Sequence, residues 1–284
     1  VGNAVVDSRP FAVITGASSG IGRELARQFM AHGFDILVTD EDGGLDATAG
    51  DLAEGLTGTA GDQAGAGSGT IQEVVADLAT PDGAERVVAA IAAIGRPVDA
   101  LALNAGFGNG GAFTDIPLAD EQRLIAVNIA APVHLAKRIV PDMVRRGAGR
   151  VLFTSSVASQ LPGPYYATYA ASKAFIQSFA HALRYELAGT GVTVTALLPG
   201  PTDTGFFGRA GMAGTPVGSS AKDDPATVAR DGFEALMAGK SQVVAGSLKN
   251  KIQTAGARLM PEQARAAIHA RMTKPSRMTK PRGH

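Results

Sequence analysis

The stretch TGASSGIG occupies Thr15–Gly22, between a short apolar run, Phe11–Thr15, and a helical pattern that begins at Gly22. Gly16, Gly20 and Gly22 leave backbone bare of side chains where a ligand must come close. Ser18, Ser19 and Ile21 fill the positions between them. A strand, a glycine turn and a helix in that order aim the unpaired N–H groups and positive dipole end of the helix at an anion. The stretch is read as a pyrophosphate cradle. Glycines also cluster in plain turns, so the strand and helix on either side carry the weight of the reading.

Outward from this turn, apolar runs alternate with helical patterns. Strands are expected at Phe11–Thr15, Phe34–Thr39, Thr70–Val75, Val98–Leu103, Val151–Thr154, Val192–Leu198 and Gln242–Ala245. Helices are expected at Gly22–His32, Gly44–Leu56, Gly83–Ile94, Asp120–Arg146, Ala167–Ala188 and Ala226–Ala238, with Pro132 and Pro141 as kink points in the fourth. Seven strands separated mostly by helices predict an α/β fold: a doubly wound, seven-stranded parallel sheet with helices on both faces. Strands that are apolar throughout, rather than alternating, support burial on both sides. Gly43–Gly69, crowded with Gly, Ala, Thr and Asp, is expected to hold one helix and a long loose loop.

Asp40 ends the second strand, 18 positions beyond Gly22 and followed by Glu41 and Asp42. An acid at that distance can accept hydrogen bonds from both hydroxyls of an adenosine ribose and would repel a 2′-phosphate. Ser18, Ser19 and Glu41 are not basic, so NAD(H) is expected over NADP(H). The plainer reading is that Asp40 merely opens a polar turn. Asp77 and Leu78 follow the third strand; Asp77 either bonds the adenine amino group or caps the strand end.

Three of the four tyrosines fall in YYATYAASK, Tyr165–Lys173. Tyr169 and Lys173 are four apart, hence on one face of a helix. A phenol does little acid–base work near neutrality. A neighbouring ammonium favours the phenolate and makes the pair usable. Such a pair alone is a common surface accident. Here Ser156, at the end of the fifth strand, lies 13 residues upstream. Asn104, Ala105 and Gly106 end the fourth strand, Asn128 sits inside a helix where asparagine is mildly unfavourable, and PGPTDT, Pro199–Thr204, follows the sixth strand. For Asn128 the plain alternative is a side chain bonded to nearby backbone.

In order and spacing, TGASSGIG, Asp40, NAG, Asn128, Ser156, YAASK and PGPTDT resemble the short-chain dehydrogenase/reductase family with a single Rossmann domain, over about Phe11 to Ala245. The resemblance implies that Tyr169 donates and accepts the proton, Ser156 holds the substrate oxygen, and Lys173 binds the nicotinamide ribose and lowers the Tyr169 pKa. It implies that Asn128 supports a water relay from Lys173. Pro199, Gly200, Thr202 and Thr204 would hold the nicotinamide carboxamide. A hydride would pass between NAD(H) and a carbonyl or secondary alcohol. A dinucleotide sensor without catalysis would tolerate loss of Ser156, Tyr169 or Lys173, and all three are present.

Gly200–Asp224 is the expected lid, with Phe206, Phe207 and Met212. Leu161, Pro162, Phe107 and Phe113 would add apolar walls, with Tyr165 and Tyr166 as further walls or loop packing, so the expected substrate is a small apolar carbonyl compound or alcohol; Arg209 is the charged exception, either meeting an anionic group or left in solvent. Formal net charge is zero, which argues against nucleic acid. Cysteine is absent, which fits a reducing, cytoplasmic setting. Val1–Pro10 has no apolar core of signal type, and no run of about 18 apolar residues predicts a transmembrane segment. No metal is expected; His32, His134, His181 and His269 lack ligand-spaced acids and read as surface or packing residues.

Residues 1–246 are read as the dinucleotide-binding and catalytic domain, and 247–284 as a basic extension. From Ser247 onward there are nine Lys or Arg and one acid, against 17 basic and 25 acidic residues before it. Helical spacing recurs at Leu248–Ile252 and Pro261–Ile268, and Thr273–His284 is expected to be mobile. The extension is expected first to pack on the body, then to serve oligomer contacts, and last to touch an anionic membrane. The helices bearing Asn128 and Tyr169 resemble the family's dimerising helices, implying a homodimer or homotetramer.

Overall fold

The structure, a computed structural model, describes residues 9–41, 44, 45, 50, 69–246 and 262–274. Most of the helix and loop expected in Gly43–Gly69, the helix at Leu248–Ile252 and residues 275–284 lie outside these residues.

The strands are β1 Phe11–Thr15, β2 Asp35–Asp40, β3 Ile71–Val75, β4 Ala100–Leu103, β5 Gly149–Thr154, β6 Val192–Pro199 and β7 Gln242–Ala245. They form one parallel sheet in the order β3-β2-β1-β4-β5-β6-β7. The helices are α1 Gly20–Ala31, α2 Pro81–Ile94, α3 Leu118–Ile125, α4 Ala131–Arg146, α5 Ala167–Glu186, α6 Phe206–Arg209, α7 Pro225–Met237 and α8 Glu262–Thr273. The central strands are buried along their length because helices cover both faces. Edge strand β3 is only partly buried. One face packs Val13, Leu101 and Phe153 against Val87 of α2, Leu135 of α4 and Ile176 of α5. The other packs Ile14, Val38 and Leu152 against Leu25 of α1 and Val228 of α7. There Phe29 meets Phe34 and Phe233 edge-on, each at 5.1 Å between ring centroids.

Local sequence explains the helix ends. Thr80 caps α2 by accepting from the Gly83 N–H at 3.0 Å, Pro81 opens the first turn, and Gly95 closes the helix at φ 69°. Asp224 caps α7 by accepting from the Ala226 and Thr227 N–H groups, again with a proline next.

The long helix expected at Asp120–Arg146 is two helices joined by a π-turn, Ala126–Ala130. Pro132 and Pro141 both lie within α4, and the break precedes Pro132. The cause is the missing N–H of Pro132, which cannot bond the Asn128 carbonyl four residues back. The ladder widens instead, and the Ala131 N–H bonds the Ala126 carbonyl. The whole stretch Leu118–Arg146 is long and apolar enough to cross a bilayer by length and composition, but half of its most apolar window is buried. Leu135, Ile139 and Met143 face the sheet, as in the core helix of a globular domain.

Strand order reverses between β1 and β4, so a crevice opens at their carboxyl ends. Leu135 is fully buried beneath it. Leu135→Ala is expected to lower unfolding free energy by about 2–5 kcal/mol, read by chemical denaturation, without changing the sheet's circular dichroism signature.

Candidate active site

The glycine loop runs from β1 into α1 at this crevice. Gly16 has φ 69°, and a Cβ there would lie 2.7 Å from the Ala105 Cα. A Cβ on Gly22 would lie 1.9 Å from the Gly16 carbonyl oxygen, so neither position tolerates a side chain. Ser19 stands at the N-cap of α1 without a side-chain capping bond, and the first turn has no acid. The leading N–H groups of α1 therefore remain available to an anion. These features fit a dinucleotide pyrophosphate.

Asn104 fixes the loop from beneath. Its amide donates to the Thr15 and Gly16 carbonyls at 3.2 and 3.3 Å, and its side-chain oxygen accepts from the Thr154 hydroxyl at 3.1 Å. The Thr15 hydroxyl accepts from the Asn104 and Ala105 N–H groups, both at 3.0 Å. Asp40 holds the loop from the side, accepting from the Ser18 N–H at 3.0 Å and hydroxyl at 2.6 Å.

Thr154 also leads to the chemistry. Its carbonyl accepts from Lys173 Nζ at 3.0 Å, and the Ser155 hydroxyl donates to the Lys173 carbonyl at 2.8 Å. Lys173 Nζ lies 5.9 Å from the centre of the Tyr169 ring. The Ser156 side chain lies close enough to the Tyr169 hydroxyl to favour its phenolate, and the Ser156 hydroxyl donates to the Pro199 carbonyl at 3.5 Å. Ser156 begins a short 3-10 turn, Val157–Gln160, and its hydroxyl accepts from the Ala158 N–H at 3.1 Å. All three side chains are buried. Asn128 sits in the π-turn. Its amide donates to the Phe107 carbonyl at 2.9 Å and the Ser172 hydroxyl at 3.0 Å, while its oxygen accepts from the Phe107 N–H at 3.1 Å.

Cradle and polar cluster open into one cleft of about 730 Å³. Its far end is lined mainly by the apolar Leu161, Phe206, Phe207, Met212 and Val217, with Gln160 and Arg209 also on the wall.

The profile of the short chain dehydrogenase family matches residues 10–212. This chain belongs to that family. A Bacillus subtilis relative, "Uncharacterized oxidoreductase YmfI", is 30% identical over 202 residues, covering 70% of this chain and 77% of its own length. The Bos taurus "Dehydrogenase/reductase SDR family member 7B" is 33% identical over 251 residues, covering 86% of this chain and 74% of its own. Among solved structures, a short-chain dehydrogenase from Sphingobium yanoikuyae in complex with NADPH superposes with a TM-score of 0.74 at 27% identity, covering 88% of this chain and 93% of that one.

Within this dehydrogenase, the cleft gathers Gly16, Ser18, Ser19, Gly20, Ile21, Gly22, Asp40, Leu78, the Asn104–Gly106 turn, Ser156, Tyr169, Lys173, Pro199, Gly200, Thr202 and Thr204. Of the two readings of Asp77 the structure fits the strand-end cap, and the residue does not line the cleft. Its carboxylate is gripped by Arg123 at 3.1 Å through two nitrogens and by the Ala79 N–H at 2.9 Å. The Arg123 hydrogen bond holds the Asp77 carboxyl below its ordinary range, with burial opposing it. Pro162, Tyr165 and Phe113 also stay off the wall; Tyr165 takes φ 66°, and Phe113 is exposed. Burial pushes Tyr169 up to about 12, with Ser156 opposing, and burial pushes Lys173 down to about 8. Two groups taken out of water each favour the neutral form. The cofactor, when bound, supplies the hydride chemistry and, in its oxidised form, a positive charge beside Tyr169.

Sequence reading missed Arg123 and His269. Arg123 lines the cleft from α3 and also pairs with Glu41, 82 residues away in sequence. His269 and Met272 line it from α8. Thr273, placed at the start of the mobile end by sequence, is buried and ends α8, where its hydroxyl donates to the Pro164 carbonyl at 2.8 Å. The first expectation for the extension was that it packs on the body; α8 does, over the cleft.

Lys173 gives a pH prediction. Its folded pKa lies below the ordinary 10.5, so between about 8 and 10.5 the unfolded chain binds the extra proton and this residue's contribution to stability rises with pH. The melting temperature of Lys173→Met minus that of the wild type is therefore expected to fall as pH is raised across that window. A difference independent of pH would show that Lys173 is not desolvated.

Proposed function

We propose that this short-chain dehydrogenase interconverts a carbonyl and a secondary alcohol on a largely apolar substrate, with Tyr169 as general acid and base. The observation that carries the reading is the meeting of Ser156, Tyr169 and Lys173 where the dinucleotide cradle opens into an apolar compartment. In reduction, Ser156 and Tyr169 would hydrogen-bond the carbonyl oxygen and Tyr169 would give that oxygen its proton; a bound nicotinamide would supply the hydride to the carbonyl carbon. Asn128 acts as a positioning residue, locking Phe107 and Ser172 beside Lys173, and supports proton return from Lys173 to solvent. Tyr169→Phe is expected to lower kcat at least about 100-fold with cofactor affinity unchanged. Full activity in that variant would overturn the assignment.

For the cofactor two readings have an observation each. The Asp40 carboxylate at the ribose end favours NAD(H). Arg123, the basic group on that side of the cleft, favours NADP(H), in keeping with NADPH in the Sphingobium yanoikuyae relative. Calorimetric titration with NADH and NADPH separates them. If Asp40 decides, NADH binds tighter and Asp40→Ala gains NADPH affinity. If Arg123 decides, NADPH binds tighter and Arg123→Gln loses NADPH while keeping NADH.

The helices α3 and α5 leave Leu118, Ile125, Phe175 and Tyr185 exposed, which supports self-association into a dimer or tetramer. Sedimentation at micromolar concentration tests it.

A further inference from the structure

His269 enters the cleft from α8 and is buried. The Pro162 carbonyl lies 2.8 Å from its Nδ1. A carbonyl can only accept, so Nδ1 carries the proton and Nε2 is left as the acceptor. The Tyr166 hydroxyl donates to that Nε2. Burial holds His269 below its ordinary pKa, with the Pro162 hydrogen bond opposing, so the ring is neutral near pH 7 and the direction of this chain is fixed.

The pinned ring matters because of what lies beneath it. Tyr166 stacks on Tyr169 with centroids 5.7 Å apart and planes 27° apart. Phe206 of the lid flanks Tyr169 at 5.2 Å. Helix α8 is also tied to the lid, where the Val217 N–H donates to the Met272 carbonyl at 3.0 Å. The reacting tyrosine thus lies between a ring held by α8 and a ring held by the lid. A buried tyrosine hydroxyl and imidazole in an otherwise apolar wall would each be costly without their mutual bond.

We propose that His269 is a specificity-determining residue of the substrate compartment: by pinning Tyr166 it sets the width of the space beside Tyr169, and so the bulk of the carbonyl substituent that lies there. The proposal rests on Tyr169 as the group that meets the substrate oxygen. It assigns the C-terminal extension a part in choosing among apolar ketones, with compact ones preferred.

The test uses the full chain loaded with whichever of NADH or NADPH binds tighter, and two probes, cyclohexanone and 2-acetylnaphthalene. His269→Ala is expected to shift the ratio of kcat/KM toward 2-acetylnaphthalene by about tenfold or more, mainly through KM, with cofactor affinity unchanged. His269→Gln, whose amide oxygen can accept from Tyr166, is expected to stay near the wild-type ratio. Tyr166→Phe keeps the ring and loses the bond, so it shifts the ratio the same way, and adding His269→Ala to it shifts the ratio less than His269→Ala does alone. An unchanged ratio in His269→Ala, with both ketones losing equally, overturns the proposal and leaves a purely structural histidine. If Tyr169→Phe abolishes turnover while that ratio stays fixed, the general-acid reading stands and this proposal falls. If the wild type turns over neither ketone, the ratio is read from calorimetric binding of the two ketones to the cofactor-loaded protein, where no shift, or no binding, is equally fatal.

Discussion

Asn104 ties the ends of β1 and β5 to that of β4, and both halves of the site lean on it. Through Thr15 and Gly16 it fixes the carbonyls of the glycine loop. Through Thr154 it reaches the residue whose carbonyl receives Lys173. The cradle and Lys173 are therefore joined by one run of hydrogen bonds across adjacent strand ends. A parallel sheet makes such a residue necessary. Backbone pairing stops where the strands end, and the loops beyond them carry carbonyls that side chains must satisfy. The glycine loop and Lys173 cannot drift apart while this run is intact, so the cradle and the polar cluster keep a fixed relative position.

Burial sets the electrical character of the same place. Lys173 and Tyr169 lie within a site whose groups are mutually shielded from water, and both are driven toward neutrality. A low dielectric makes each remaining charge count for more. Burial thus makes Tyr169 a weaker acid and Lys173 a weaker base than either is in water. Arg123 does the reverse at the other end of the cleft. There, half in solvent, it offsets the acids Glu41 and Asp77. Exposed pairs of this kind contribute little to stability, so their consequence lies in the charge presented to an incoming nucleotide.

What was legible in the sequence is what local rules determine. Glycines that must be bare, a tyrosine and lysine one turn apart, and strand ends rich in Asn, Ser and Thr each announce themselves within a few residues. The sheet and its helices follow from the same kind of signal. The π-turn was half legible: Pro132 marked a fault in the helix, but a missing N–H shifts the break back to the residues whose carbonyls it would have served. Arg123 and His269 were not legible, because each owes its role to partners far off in the chain. Arg123 meets Glu41 across 82 residues, and His269 meets Tyr166 across 103. A histidine in a basic, alanine-rich helix has no local pattern that distinguishes it from a surface residue.

The docking of α8 follows from the loop it covers. LPGPY, Leu161–Tyr165, has prolines at 162 and 164, and its Tyr165 turns through positive φ. Such a segment can join neither helix nor sheet, so its carbonyls must find donors elsewhere if it is to lie next to a dry site. His269 Nδ1 and the Thr273 hydroxyl, one turn apart on α8, supply those donors to the Pro162 and Pro164 carbonyls. Among the described residues of α8, these two side chains supply polar anchoring of the helix on the loop. A wall positioned by two hydrogen bonds has a defined distance from Tyr169, whereas one positioned by apolar contact alone could slide. That is the physical reason a helix from the basic extension sets the position of the ring beside Tyr169.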